Sequence, residues 1–438
     1  MCRQLGRLLA LILIACGLNG FGGISPAAAA KGAERTAITM PAGPPKQLTV
    51  RKGKVVKTGI EVENVRDCGA VGDGTTDDTN AFKCAIAQST ARRAPVYVPY
   101  GTYKITDTLT LTKQLMFGQP NGSYTSDWDS LPTILATNPS RSAISLLEGG
   151  AVSGLVFDYV QDEGSATPTQ YATTILLNGV GTRVSDVKIA HAWIGIQSAA
   201  DNTGRAVIQD VFISAVAKLG MRIDTGWDVT TISNVEVWTP NNLYKGSFLQ
   251  NGGVGIALNH LDAFHMSGAF IFGADWGVLL SGTDQGRTWG TIDGLTTDFC
   301  NLGIVSQDKT LVTLTNTTNQ SLITALWIDG DSWINVSGGH FRSNVGSAVD
   351  IHSAYYVTIS GSEIQVRNSG IGLHVNGGAK VTITGNDISS PTIGAQLDGN
   401  GVILFSSNTV VSGSGHQNAF INHATNQSNQ IFGNVIFP

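Results

Sequence analysis

Five side chains able to move, accept or orient a proton recur near the C-terminal end: Asp350, His352, His374, Asn376 and Asp398. They are separated by steps of 22 and 24 residues, as from Asn376 to Asp398 and from Asp350 to His374. A histidine held beside a carboxylate can be fixed in one tautomer and tuned as a general acid or base. A second set, Glu236, His340, Glu363 and Asp387, with Trp238, Asp298 and Arg342 in an adjoining column, offers carboxylates at separations that glycosidases can use. A third set, Arg222, Asp224, Trp227, Trp238, Tyr244 and Lys245, joins cations to aromatic faces, a combination suited to an acidic glycan. Each set also has a plain structural reading, in which polar ladders and loop-covering tryptophans merely stabilise a stack.

These residues become neighbours only if the chain repeats with their spacing, and it does. A six-residue pattern of apolar, small polar, Gly/Asn/Asp, any, any, apolar begins at positions from Val152 to Ile431. Between Val336, Ile359, Ile383 and Phe405 its copies stand 23, 24 and 22 residues apart. A second pattern, small then apolar and outward residues in alternation, begins at positions such as Gly220, Gly277, Ala348, Gly372 and Gly394. Two or three strands per coil fit this period, whereas a leucine ladder or a 3.6-residue helical period is missing. The pattern predicts an all-β, right-handed parallel β-helix.

Alternate residues of a strand face opposite sides, and stacking turns the outward ones into columns. One column reads Gln197, Arg222, Ala257, Leu279, Val305, Asp350, His374, Gln396 and Ile421; the next contains Asp224, His352, Asn376, Asp398 and His423. With coils about 4.8 Å apart, His374 is expected within hydrogen-bond reach of Asp350 or Asp398 and open to a groove. Three stretches exceed the repeat, 158–173, 238–253 and 307–333, and are expected to wall that groove; the last can instead be a degenerate extra coil.

Composition agrees with a solenoid: 438 residues hold 53 Gly and only 13% charged residues. The net charge of −5 and the want of a basic run argue against nucleic acid as a partner. Arg3 and Arg7, the apolar run Leu8 to Ala15 and the small residues Ala27 to Ala30 read as an export signal over 1–30, too short to persist as a transmembrane segment. Leu13-Ile14-Ala15-Cys16-Gly17 also fits a lipid-attachment site, so secreted, periplasmic and lipid-anchored locations all stay open. Residues 31–60, with Pro41, Pro44 and Pro45, read as a linker or arm.

The most specific segment is Val65-Arg66-Asp67-Cys68-Gly69-Ala70-Val71-Gly72-Asp73-Gly74-Thr75-Thr76-Asp77-Asp78-Thr79, followed by Val96-Tyr97-Val98-Pro99-Tyr100-Gly101-Thr102-Tyr103. It resembles the opening signature of the pectate-lyase superfamily, of the rhamnogalacturonase/epimerase type, shared by β-helical lyases, hydrolases, epimerases and phage tailspikes. The resemblance implies a β-helix domain over 61–438, with a cap over 61–114 and coils over 115–438. The acidic residues of the segment fail the calcium-loop spacing and suit a turn followed by a capping helix running to about Ser89, opened by Thr76 or Asp77. Cys68 and Cys84 flank that plug and are expected to form a disulfide, leaving Cys300 free.

The family's better-known catalytic patterns do not appear. There is no Gly-His-Gly, Arg-x-Lys or Asp-Pro-His, and no acidic calcium triplet beside a basic residue; the lone Asp-Asp pair belongs to the cap. No metal or other cofactor is therefore expected. Two functions remain: a polysaccharide hydrolase or lyase, or a noncatalytic glycan-binding or surface-structural β-helix, with a polymer epimerase as a further branch. For the first, Asp350, His352, His374 and Asp398 are the expected catalytic residues, and Arg222, Asp224, Trp238, Tyr244 and Asn376 the expected substrate contacts.

Overall fold

The computed structural model describes residues 61–119, 131–162, 164–199, 202–239 and 249–437. The export signal, Cys16, the arm and the pair Tyr244 and Lys245 lie outside the described residues. Within them the chain is a parallel β-helix of about 14 turns, each strand pairing with its counterpart one coil away.

Every coil carries three faces. The first holds short strands such as Ser332–Ser337, Tyr356–Ser360, Lys380–Thr384 and Val402–Ser406, paired in register. The strands His340–Ile351 and Glu363–Val375 supply the second and third faces together, bending between them without a break. The six-residue pattern thus straddles a corner: Ile359 lies next to the end of one strand and Ile364 lies in the next. Its third position turns that corner with a positive φ in every copy, as at Gly338 (72°), Gly361 (64°), Gly385 (67°), Asp210 (54°) and Asn234 (50°). This is why only Gly, Asn, Asp and once Ser stand there, since other side chains clash in the left-handed region. Val336, Ile359, Ile383 and Phe405 are fully buried, stacking apolar layers along the axis.

The same corner satisfies its own backbone. Asn386 donates to the Ile359 carbonyl at 3.0 Å and accepts from the Ser362 amide at 2.9 Å; Asn408 repeats the arrangement one coil on, donating to the Ile383 carbonyl at 3.0 Å. Both asparagines are buried.

A helix, α1 (Thr79–Arg92), plugs the N-terminal end and runs three residues beyond the expected Ser89. Phe82 packs edge-on against Tyr103, with ring centroids 5.3 Å apart. Asp77 accepts from the Thr79 amide at 3.0 Å, while buried Asp78 accepts from the Val71 and Gly72 amides at 2.7 and 3.0 Å, so the acidic pair ties turn to helix. Cys68 and Cys84 are bonded, with Cα atoms 6.0 Å apart, and Cys300 is free and buried.

The stretch 307–333 is a complete additional coil. Thr310–Thr315 and Thr318–Asp329 pair with the coils on both sides. It therefore walls no groove; it inserts Trp327 and Asp329 into the two outward columns.

Candidate functional site

On the third face, strand pairing places Trp327, Asp350, His374 and Gln396 in one column. Each projects outward because its neighbours on the strand, such as Leu373 and Val375, are buried inside. The adjoining column adds His352, Asn376, Asp398 and His423, whose amides donate to the preceding coil at 2.7 to 2.9 Å.

The side chains form an alternating ladder. His352 Nε2 lies 3.3 Å from Asp350 Oδ1, and His374 Nδ1 lies 3.2 Å from the same oxygen. On its other side His374 Nε2 lies 3.0 Å from Asp398 Oδ2, and His423 Nδ1 lies 3.0 Å from Asp398 Oδ1. Gln396 also donates to Asp398, at 2.6 Å. The Asp350 contacts are ion-pair approaches off the hydrogen-bond axis, leaving Asp350 Oδ1 buried without a directed donor. The Asp350 carboxylate, and after it Asp398, raises the pKa of the His374 imidazole against the opposing effect of burial. Burial pushes the Asp398 carboxyl up, but donors from Gln396, His374 and His423 outweigh it and hold the group below its usual range.

His374 is not open to a groove. Its side chain is only 16% exposed, with a carboxylate at each ring nitrogen, whereas His352 and His423 are 39% and 67% exposed. Trp327 closes the N-terminal edge of the ladder, its ring 5.4 Å from that of His352. This residue was missed because 307–333 reads as an excursion: Asn319 occupies the position where the six-residue pattern calls for an apolar side chain. The signal was nonetheless present in Ala325-Leu326-Trp327-Ile328, a good copy of the second pattern.

The expected substrate contacts among the described residues are not brought together. Arg222 and Asp224 pair with each other at 2.6 Å on the third face, but Ala257, Leu279, Val305 and Trp327 separate Arg222 from Asp350 along the column. Five coil steps, about 24 Å, lie between them. Trp238 stands on the second face beside Phe272, and exposed Trp227 meets His260 at another corner. Asn376 is exposed between His352 and Asp398. In the competing column of the second face, His340 and Glu363 meet at 2.6 Å with Asp387 one coil on, while Phe270, Thr296 and Thr318 intervene before Glu236. Among the described residues no group of three or more His, Cys, Asp or Glu side chains could hold a metal ion, and no helix is long and apolar enough to cross a membrane.

Residues 62–130 match the family described as rhamnogalacturonase A/epimerase, pectate lyase-like, and residues 324–437 match the right handed beta helix region. A glucan 1,3-beta-glucosidase of Cochliobolus carbonum is 26% identical over 230 residues, 49% of this chain and 23% of that protein. The chain thus spans under a quarter of that relative's length. Among solved structures, the pre-mature gene product 12 of bacteriophage phi29 aligns with a TM-score of 0.57 at 14% identity, over 80% of this chain and 52% of that one. Tailspike protein 3 of bacteriophage CBA120 aligns with a TM-score of 0.50 at 12% identity, over 85% and 61%. Such identities speak to fold alone. The two family matches fall at opposite ends of one stack of paired strands, and together with that fold they support a pectate-lyase-like, right-handed parallel β-helix.

Proposed function

We propose that this protein is an exported polysaccharide-degrading enzyme, a glycoside hydrolase or polysaccharide lyase, with its working groups on the third face. The observation that carries the proposal is the ladder His352, Asp350, His374, Asp398, His423, in which two carboxylates each bridge a pair of imidazoles. Partial identity to a glucan-cleaving enzyme supports a glycan as the substrate.

The ring of His374 fills the space between Asp350 and Asp398, so these carboxylates cannot flank a glycosidic bond as an acid and base pair. Proton transfer to a bound sugar falls to the outer imidazoles, His352 and His423, each backed by a carboxylate and more exposed to solvent. His374 is then a positioning residue that lies between both carboxylates and helps hold Asp398 ionised. Asn376, exposed between the coils, is a hydrogen-bond partner for a sugar hydroxyl.

The test is product analysis across acidic and neutral polysaccharides. A lyase releases unsaturated, ultraviolet-absorbing ends, and a hydrolase releases reducing ends without them. Binding with neither product would favour the alternative, a noncatalytic glycan-binding surface, which draws support from the engagement of both His374 nitrogens within the ladder itself.

A further inference from the structure

The corner between the second and third faces carries a feature that the ladder does not use. Phe299 sits at a β-bulge in the strand Thr296–Gln307, where the register shifts beside Cys300. Its backbone is left-handed, φ 54°, and the residue is 45% exposed. A bulky aromatic residue rarely adopts that conformation, and placing it there turns an apolar ring out to water. The surroundings hold it: Gln250 donates to the Phe299 carbonyl at 2.9 Å, and Asn301 donates to the Gln250 carbonyl at 3.1 Å. The ring extends an aromatic row, 5.5 Å from Phe272, which is 6.5 Å from Trp238.

Along the axis from Phe299 the corner turns cationic. Arg342 and Arg367 border a small recess with Asp298, Phe299, Gln320 and Asn344, and the same two guanidiniums border an open depression of about 560 Å³ leading on past Gln365 and Ser389. Arg367 is exposed and makes no ion pair among the described residues; Arg342 reaches Glu363 only at 3.8 Å. An aromatic face followed by two under-used guanidinium forks is a matched pair of contacts for a pyranose that carries an anionic group. The ring covers the apolar face of the sugar and the forks take its oxygens pairwise.

We propose that this corner binds an anionic sugar unit, carboxylated or sulfated, with Phe299 as the stacking platform and Arg342 and Arg367 as the anion clamp. The inference rests on the reading of the protein as glycan-directed and names the class of glycan.

Calorimetric titration of the full chain with polygalacturonate, its carboxyl-reduced counterpart and dextran sulfate tests it. At least one anionic polymer is expected to bind about tenfold or more tighter than the carboxyl-reduced one. The double variant Arg342→Gln/Arg367→Gln should lose about tenfold or more of that affinity, and Phe299→Ala a smaller but clear fraction. Arg183→Gln, an exposed cation elsewhere, should lose none. Carboxylated and sulfated ligands are told apart by which polymer responds. Equal affinity for the carboxyl-reduced polymer, or full affinity in the double variant, overturns the inference. If a neutral polymer is then still cleaved in a ladder-dependent way, the proposed function stands without it. If an anionic polymer binds here and nothing is cleaved, the inference stands and the enzymatic reading falls; binding of no polymer overturns both.

Discussion

An imidazole with a carboxylate beside each ring nitrogen is favoured as the cation, because its positive charge then faces a negative one on either side. His374 is in that position, and its two partners are themselves largely covered. Replacing it by alanine leaves two carboxylates without their shared cation, and should cost about 1–3 kcal/mol of stability. The pH dependence has a definite sign. Because the folded pKa is raised above 6.5, the contribution is complete below that pH and lost as pH rises through the folded value. Thermal melts of wild type and His374→Ala should therefore draw together as pH rises through the folded value, and a gap that stays constant with pH would sink the assignment. His352→Gln and His423→Gln, at more exposed positions, should leave the melting temperature almost unchanged. If either residue is the acid or base, its loss should lower turnover roughly a hundredfold. Full turnover in both variants would move the chemistry to the second-face pair His340 and Glu363.

At the scale of the element, strand alternation made the ladder legible before any coordinates, since Asp350 and His374 stand one period apart on a strand with buried neighbours. What escaped the sequence did so for two physical reasons. One buried polar residue, Asn319, concealed a whole coil because it pairs with Thr297 at 2.7 Å instead of packing as a hydrophobe. A bulge at Phe299 shifts the register locally, so column arithmetic could not bring its ring to Arg342 and Arg367. The corner asparagines make a further prediction. Asn408→Ala strands the Ile383 carbonyl and the Asn386 amide inside the corner and should cost about 1–3 kcal/mol. Asn335→Ala, at an exposed position on the first face, should cost far less; equal costs in chemical denaturation would show that the buried ladder carries no special weight. At the plug, a disulfide joining residues 16 apart constrains the unfolded chain by about 3 kcal/mol in the loop-entropy view, so Cys84→Ser should lower the melting temperature of the N-terminal coils.

Across the whole molecule each coil touches only its neighbours, so stability is a sum of local terms and the ends are its weakest points. The two ends are unlike. At the first coils α1 covers the stack and a disulfide pins it. At the last described coil, Gln430–Phe432 and Val435–Phe437 pair on one side only, and Phe432, Val435 and Phe437 are 58%, 51% and 49% exposed. An edge strand with apolar residues in water lacks both the hydrogen bonds and the burial that hold an interior coil. Amide hydrogen exchange should therefore run in a gradient: fastest in 430–437, slower through 402–412, and slowest in the central coils around Val336 and Ile359. The gradient bears on function, because His423 lies near these last described strands while His352 lies three coils deeper. Mild denaturant should release His423 from Asp398 first, and activity that depends on His423 should fall before the central coils exchange. Uniform protection from 336 to 437 would show that the stack opens as one cooperative unit, and the two outer imidazoles would then be lost together.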